Sequence, residues 1–371
     1  MIDFLKLANP GVAGLHPYQA GKPIEELERE LGISNIIKLA SNENPLGPSP
    51  KAIAAMQAEL ADVWLYPDGN GFVLKEKLAA LHGVAMNRIT LGNGSSEPLE
   101  FIVRAFVQPG DEVLFSEHSF AIYPIVTQAA GGVGVAAPAK NWGFDLDALK
   151  AQISARTRVI FIANPNNPTG TWLGAAELEA FIAAVPENII VVVDEAYYDY
   201  ASHPATGASG YPNAIDWVEK YPNLMVTRTF SKSYALAGLR VGYAISHPQV
   251  ADLMNRVRPP FNVSNLAMAA AVAALDDADH LRASVEMNAA GLKQLTAAFD
   301  EMGLEYIPSV GNFISVDVQR EGKPVYDALL REGVIVRPVA NYAMPNHLRV
   351  TVGKAEENAR FIRALKKVLA G

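Results

Sequence analysis

Short apolar runs interleaved with stretches of helical periodicity set the tightest limit on what this chain can fold into. The runs are RITLGN, DEVLFS, TRVIFIANP, NIIVVVDEAY, LMVTRTFS and RVGYAIS, and segments such as KAIAAMQAEL and LKEKLAALHG carry the helical spacing. VIFIA and IIVVV contain almost nothing polar, as expected of parallel strands covered by helices on both faces. The expectation is an α/β fold with a mostly parallel sheet. Polar residues gather where the runs end: Asn164 to Gly170 after one, Asp194 to Tyr197 closing another, and Ser231 with Lys232 after a third. Open α/β sheets bind ligands at such strand ends, so the three motifs are expected to share one edge.

The cadence changes along the chain, and 371 residues with half of them apolar suffice for about two domains. Residues 1–45, rich in Pro, Gly and Asn, read as an irregular arm with one short helix near Glu25 to Leu31, contributing also to a small domain. Residues 46–258 read as the large domain. Beyond Pro259 and Pro260 come an Ala-rich helix, a long helix through Phe299 and the strand-like segments NFISVDV, VIVRPV and HLRVTV. Residues 259–371 are therefore expected to form a smaller α+β domain.

Composition removes several classes of function. A net charge of -8 leaves no broad basic face for nucleic acid, although a phosphate pocket needs only a few positive groups. The absence of cysteine excludes disulfides, thiolate ligands and thiol nucleophiles and fits a reducing cytoplasm. The seven histidines are scattered, which argues against a metal centre. No basic segment leads into a long apolar run at the N-terminus, and no stretch is long enough for a membrane span, so neither export nor an anchor is expected.

The segment TRTFSKSYALAGLRVGY, residues 227–243, sets Lys232 and Arg240 eight positions apart around Gly238, just after an apolar run. A desolvated lysine amine can condense with an aldehyde, and an arginine can grip a phosphate with two donors. In LGNGSSEPLE, a strand end, the Gly94 turn and a helix start place backbone amides and the Ser95 and Ser96 hydroxyls where an anion can sit. The plainer reading makes Ser96 a helix N-cap with Pro98 in the first turn. Asp194 closes IIVVV, where a lone carboxylate is costly to bury without a positive partner.

SKSYALAGLRVGY resembles the cofactor-lysine signature of the fold type I pyridoxal phosphate (PLP)-dependent aminotransferases, close to their histidinol-phosphate branch. KLASNENPLGPSP, YPDGNGF, LGNGSSEPLE, NPNNPTG, VVVDEAY and LRVTVG follow in family order, so the resemblance covers nearly the whole chain. It implies PLP held covalently by Lys232, with Asp194 facing the ring nitrogen, and Asn167 and Tyr197 sharing the ring oxygen. Phe120 is implied as the aromatic stacked on the ring, in preference to Tyr123. Gly94, Ser95, Ser96, Ser231 and Arg240 are implied around the phosphate.

Arg349 matches the family's substrate-binding arginine, and Arg337 a second position used in the histidinol-phosphate branch. Both sit in apolar runs, where a guanidinium needs an anionic partner, supplied by substrate or by an internal salt bridge. Tyr66 corresponds to a tyrosine that reaches the neighbouring subunit's cofactor phosphate, which implies a homodimer with shared active sites. Tyr18 is implied near substrate. Two departures weaken the parallel: Ala20 where relatives commonly have proline, and Ser96 where many have aspartate.

The activity implied is a two-step exchange between an amino donor and a keto acceptor, namely histidinol phosphate with imidazole-acetol phosphate against glutamate with 2-oxoglutarate. Lys232 then serves as anchor and as general acid and base. The alternatives are an aromatic amino acid aminotransferase and, on the same fold, a PLP-dependent decarboxylase or lyase.

Overall fold

The computed structural model describes residues 2–17 and 21–371. Its strands in chain order are β1 (Ile37–Lys38), β2 (Ile89–Gly92), β3 (Glu112–Ser116), β4 (Val133–Ala137), β5 (Ala139–Lys140), β6 (Gly143–Phe144), β7 (Thr157–Ala163) and β8 (Ile190–Asp194). There follow β9 (Leu224–Thr229), β10 (Gly242–Ile245), β11 (Tyr306–Ile307), β12 (Phe313–Asp317), β13 (Val334–Ile335), β14 (Arg337–Pro338) and β15 (His347–Thr351). Among the described residues the main sheet has the order β2-β10-β9-β8-β7-β3-β4. Its strands run parallel except β10, which is antiparallel to both β2 and β9.

The two runs without polar residues form the centre of this sheet. β8 is buried along its whole length and β7 nearly so, and Val, Ile and Phe suit a pleated strand packed on both faces. Register then does the positioning. Ala163 pairs with Asp194 and Asp194 with Thr227, while the Asn164 amide donates to the Asp194 carbonyl and the Glu195 amide to that of Thr227. The three polar motifs therefore lie side by side at the carboxyl edge.

A second sheet, β11-β12-β15-β14, has its own apolar cluster, including Leu292, Phe299, Ile314, Val316, Leu348, Val350 and Phe361. The segment VIVRPV is not one strand. Val334 and Ile335 pair in parallel with Ile37 and Lys38, whereas Arg337 and Pro338 pair antiparallel with Arg349 and Leu348. The arm is thereby fastened to the smaller body, with Leu27 and Ala40 packed against Ile335. Two short helical turns, Phe4–Lys6 and Pro10–Ala13, precede the expected helix, which spans Ile24–Leu31. Asp3 and Asn9 cap these turns through their side chains.

The Ala-rich helix Asn265–Leu275 follows Pro260 in sequence but packs with the large sheet. Ala267, Ala270, Ala271 and Ala274 belong to the larger apolar cluster, and the helix lies against Pro50–Glu59. By packing, the sheet-bearing body extends to residue 275, and the helix Ala278–Met302 leads into the smaller one. Among the described residues no helix is long and apolar enough to cross a membrane, and no cluster of His, Asp or Glu is placed to hold a metal ion.

Candidate active site

Between the sheet edge and the second sheet lies a cavity of about 300 Å³. Lys232, Asp194, Tyr197, Asn167, Phe120, Ser95, Ser96, Ser231, Arg240, Arg337 and Arg349 all line it. Gly94 lies just behind the wall. Tyr66 is elsewhere on the chain, 82% exposed and stacked on Phe261 with ring centroids 4.7 Å apart. Tyr18 and Ala20 fall outside the described residues.

Lys232 projects from the loop that follows β9, and its Nζ donates to the Ser41 carbonyl at 3.3 Å, 5.6 Å from the centroid of the Tyr197 ring. Burial, helped by the nearby Arg349 and Arg240, lowers its pKa to about 8. The backbone on which it sits is fixed from two sides. Ser233 Oγ donates to Asp199, and Asn44 Nδ2 donates to the Ser233 carbonyl at 2.9 Å. Behind this loop Arg228 forms a buried ion pair with Glu195 at 2.7 Å, with its guanidinium 3.4 Å from the Tyr198 ring centroid.

Asp194 is buried with a carboxylate held by two hydroxyls, Tyr123 at 2.9 Å on Oδ2 and Thr227 at 3.0 Å on Oδ1. Burial pushes its pKa above the usual carboxylate range, and the two hydroxyls oppose that shift. Tyr123 is itself fully buried and stacked on Phe161 at 4.5 Å, so it supports Asp194 from below. Phe120 stands edge-on to Tyr123 at 5.9 Å and faces the cavity.

At the other end of the cavity is a cup of donors. Gly94 takes φ +68°, and a Cβ there would lie 2.6 Å from an Arg240 guanidinium nitrogen. A Cβ on Gly242 would meet the Gly94 carbonyl carbon and the Ser95 nitrogen at 2.5 Å, so the turn rests directly on β10. The helix that follows starts at Ser96, and its N-cap is Ser95 rather than the expected Ser96, because the left-handed turn at Gly94 brings the chain into helical geometry one residue earlier. Ser95 makes no side-chain capping bond, which leaves its hydroxyl to the cavity. Arg240 reaches Ser231 Oγ at 3.4 Å.

Arg349 and Arg337 form the opposite wall, directly across from each other on β15 and β14. Arg349 donates to Asn167 Oδ1 at 2.5 Å and to the Ala40 carbonyl at 2.8 Å. Asn42 donates to the Tyr197 hydroxyl at 2.9 Å.

This donor set fits PLP. An amine with lowered pKa stands beside a buried carboxylate suited to a ring cation, an aromatic face lines one side, and hydroxyls with an arginine gather at a helix N-terminus suited to a phosphate. Sequence reasoning missed Tyr123 as the support of Asp194, and Asn42 and Thr227 altogether. Only the placement of Thr227 as a polar residue inside a buried strand, or of Asn42 in SNENP, hinted at them.

The sequence matches the aminotransferase class I and II family over residues 34–365. It is 58% identical to histidinol-phosphate aminotransferase 1 of Nitrosococcus oceani, over 99% of this chain and 98% of that protein. Identity is 59% to histidinol-phosphate aminotransferase 2 of Pseudomonas fluorescens, over 99% of both. Among solved structures, the histidinol-phosphate aminotransferase of Sinorhizobium meliloti in complex with pyridoxal-5'-phosphate is similar at a TM-score of 0.89 and 30% identity, covering 98% of this chain and 97% of its own. A fold type I architecture, a lysine and an aspartate at adjoining strand ends, and a match across nine-tenths of the sequence lead to one conclusion: the chain belongs to the class I and II aminotransferases.

Proposed function

We propose that the chain is a PLP-dependent aminotransferase that exchanges the amino group of histidinol phosphate with that of glutamate, in histidine biosynthesis. The observation that carries this reading is the pair Arg349 and Arg337, cross-strand neighbours on one cavity wall opposite the Lys232 side. Two guanidinium groups suit a dianionic phosphate, and one of them also suits the carboxylate of glutamate. The names of the relatives at 58–59% identity support the same substrate.

Bound PLP supplies an aldehyde for the amino group and a ring that takes up the electron pair left when the α-proton departs. The remaining work falls to the chain. Lys232 Nζ would anchor the cofactor and, as a free amine, would carry the proton; with a pKa of about 8 an appreciable neutral fraction is available near neutral pH. Asp194 holds a proton on the ring nitrogen, steadied by Tyr123 and Thr227. Asn167 and Tyr197 would hold the ring oxygen, Phe120 would cover the ring face, and the Gly94 turn with Ser95, Ser96, Ser231 and Arg240 would bind the phosphate. Tyr18 is assigned to the substrate side on family resemblance alone.

The active unit in this reading is a cytoplasmic homodimer. Tyr66 is exposed beside Val63, Trp64, Leu65 and Phe72, an apolar surface suited to a second copy, whose cofactor phosphate it would reach. Mixing a Lys232→Ala chain with a Tyr66→Phe chain should restore activity through one intact site per hybrid; proven subunit exchange without recovery would place each site within one chain.

Single-turnover rates with histidinol phosphate, phenylalanine and glutamate test the substrate. Arg337→Ala should weaken histidinol phosphate at least tenfold more than phenylalanine, whereas Arg349→Ala should harm all three. Equal losses in the Arg337 variant would favour an aromatic amino acid aminotransferase.

A further inference from the structure

We infer that Asn42 is a positioning residue that fixes the direction in which the Tyr197 hydroxyl donates its proton. The inference rests on the reading that Tyr197 faces the cofactor's ring oxygen. Asn42 is 1% exposed and takes φ +56°, a conformation that asparagine tolerates better than most residues. All its polar groups are engaged. Its backbone amide donates to Thr351 Oγ1 at 2.9 Å, Thr351 Oγ1 donates to its Oδ1 at 3.1 Å, and its carbonyl accepts from Asn312 Nδ2 at 3.0 Å. The remaining group, Nδ2, donates to the Tyr197 hydroxyl oxygen at 2.9 Å.

This network sets the orientation of the side-chain amide. Turned over, it would present a second donor to the Thr351 oxygen, which already accepts the Asn42 backbone N–H, and would strip the Thr351 proton of its acceptor. The Thr351 hydroxyl is buried, so that arrangement is the costlier one. With Nδ2 facing Tyr197, the phenol oxygen accepts a proton there, and its own proton is directed away from Asn42, toward the cavity that Tyr197 and Lys232 both line. The accepted hydrogen bond also makes the phenol a stronger donor. Because Thr351 lies two residues beyond Arg349 on the same strand, the orientation is held by the strand that carries the substrate arginine.

The readout is the pH midpoint of the absorbance change of the Lys232-bound cofactor. Donation from Tyr197 draws charge from the ring oxygen and loosens the proton shared with the Lys232 nitrogen, so a weaker or misdirected donor raises the midpoint. Other charged or titratable groups around Lys232 and Tyr197 are Asp194, Glu43, Arg240, Arg337, Arg349, Tyr123 and Tyr200, and none of them is altered. Asn42→Gly keeps the left-handed backbone and should raise the midpoint by about half to one pH unit, the worth of one neutral hydrogen bond. Asn42→Asp keeps the shape but accepts the tyrosine proton, and should raise it further. Tyr197→Phe should also raise it, and adding Asn42→Gly to Tyr197→Phe should then change nothing more.

An unchanged midpoint in both Asn42 variants, with Tyr197→Phe still shifted, would overturn the inference. So would an equal Asn42→Gly shift with and without the Tyr197 hydroxyl, since that is the mark of a merely structural role. A Tyr197→Phe protein with an unshifted midpoint would instead remove the Tyr197 reading, and the inference with it.

Discussion

Gly94→Ala perturbs the phosphate cup without touching any group proposed to do chemistry. The added methyl would stand 2.6 Å from an Arg240 guanidinium nitrogen, the movable end of a long side chain, so the fold can yield by swinging Arg240 aside. The left-handed φ of +68° costs an alanine about 1–2 kcal/mol of stability. Displacing Arg240 removes one charge-assisted hydrogen bond to phosphate, about 1.5–3 kcal/mol, which corresponds to roughly 10- to 150-fold weaker PLP binding. Titrating the apoprotein with PLP and following its absorbance measures the loss directly, and calorimetric melting of the apoprotein measures the strain. Because the loss is one of phosphate binding, affinity for pyridoxal without its phosphate should fall far less. Undiminished PLP affinity in a folded Gly94→Ala protein, or equal losses for PLP and pyridoxal, would refute Arg240 as a phosphate ligand.

Two further outcomes follow from buried charge. Arg228→Met leaves Glu195 buried without its cation and should cost about 3–5 kcal/mol in chemical denaturation, whereas the double change Arg228→Met with Glu195→Gln should recover a large part of it. His82 is held neutral by burial, with its pKa lowered to about 3. The unfolded chain therefore gains a proton below pH 6.5 that the folded one refuses. Stability on this account is full above that value and falls as pH drops from 6.5 toward 3, by at most about 1.4 kcal/mol per pH unit; in His82→Phe the slope in that window should shrink.

The main sheet was readable because β7 and β8 are buried on both faces, so their composition alone betrays them. The polar stretches Asn164 to Gly170, Asp194 to Tyr197 and Ser231 with Lys232 were readable for the same reason, as they follow apolar runs, whereas the choice of Asn167 within the first came only from the family resemblance. Tyr123 was not. Its contact with Asp194 joins residues 71 positions apart and depends on how the helix Ile122–Ala129 sits under the sheet, which no local pattern encodes. The helix Asn265–Leu275 misled for a related reason: alanines pack closely against any neighbour and carry no mark of which core receives them. VIVRPV read as one strand because apolar character reports burial, and burial continues across Val336 into Arg337 while the pairing partner changes.

That change of partner bears on how the protein is made. Ile37 and Lys38, and the Ala40–Asn44 stretch that touches Arg349, Lys232, Tyr197 and Ser233, are translated before any strand of the large sheet. Their partners on β13 and β15 are translated about three hundred residues later. At a typical 5–20 residues per second, this segment waits about 15–60 seconds for its sheet. The large sheet can close in the meantime, since β2 to β10 are all present by residue 245. The candidate pocket is thus completed only after the main core, and a nascent chain that already has that core still lacks the wall that carries both arginines.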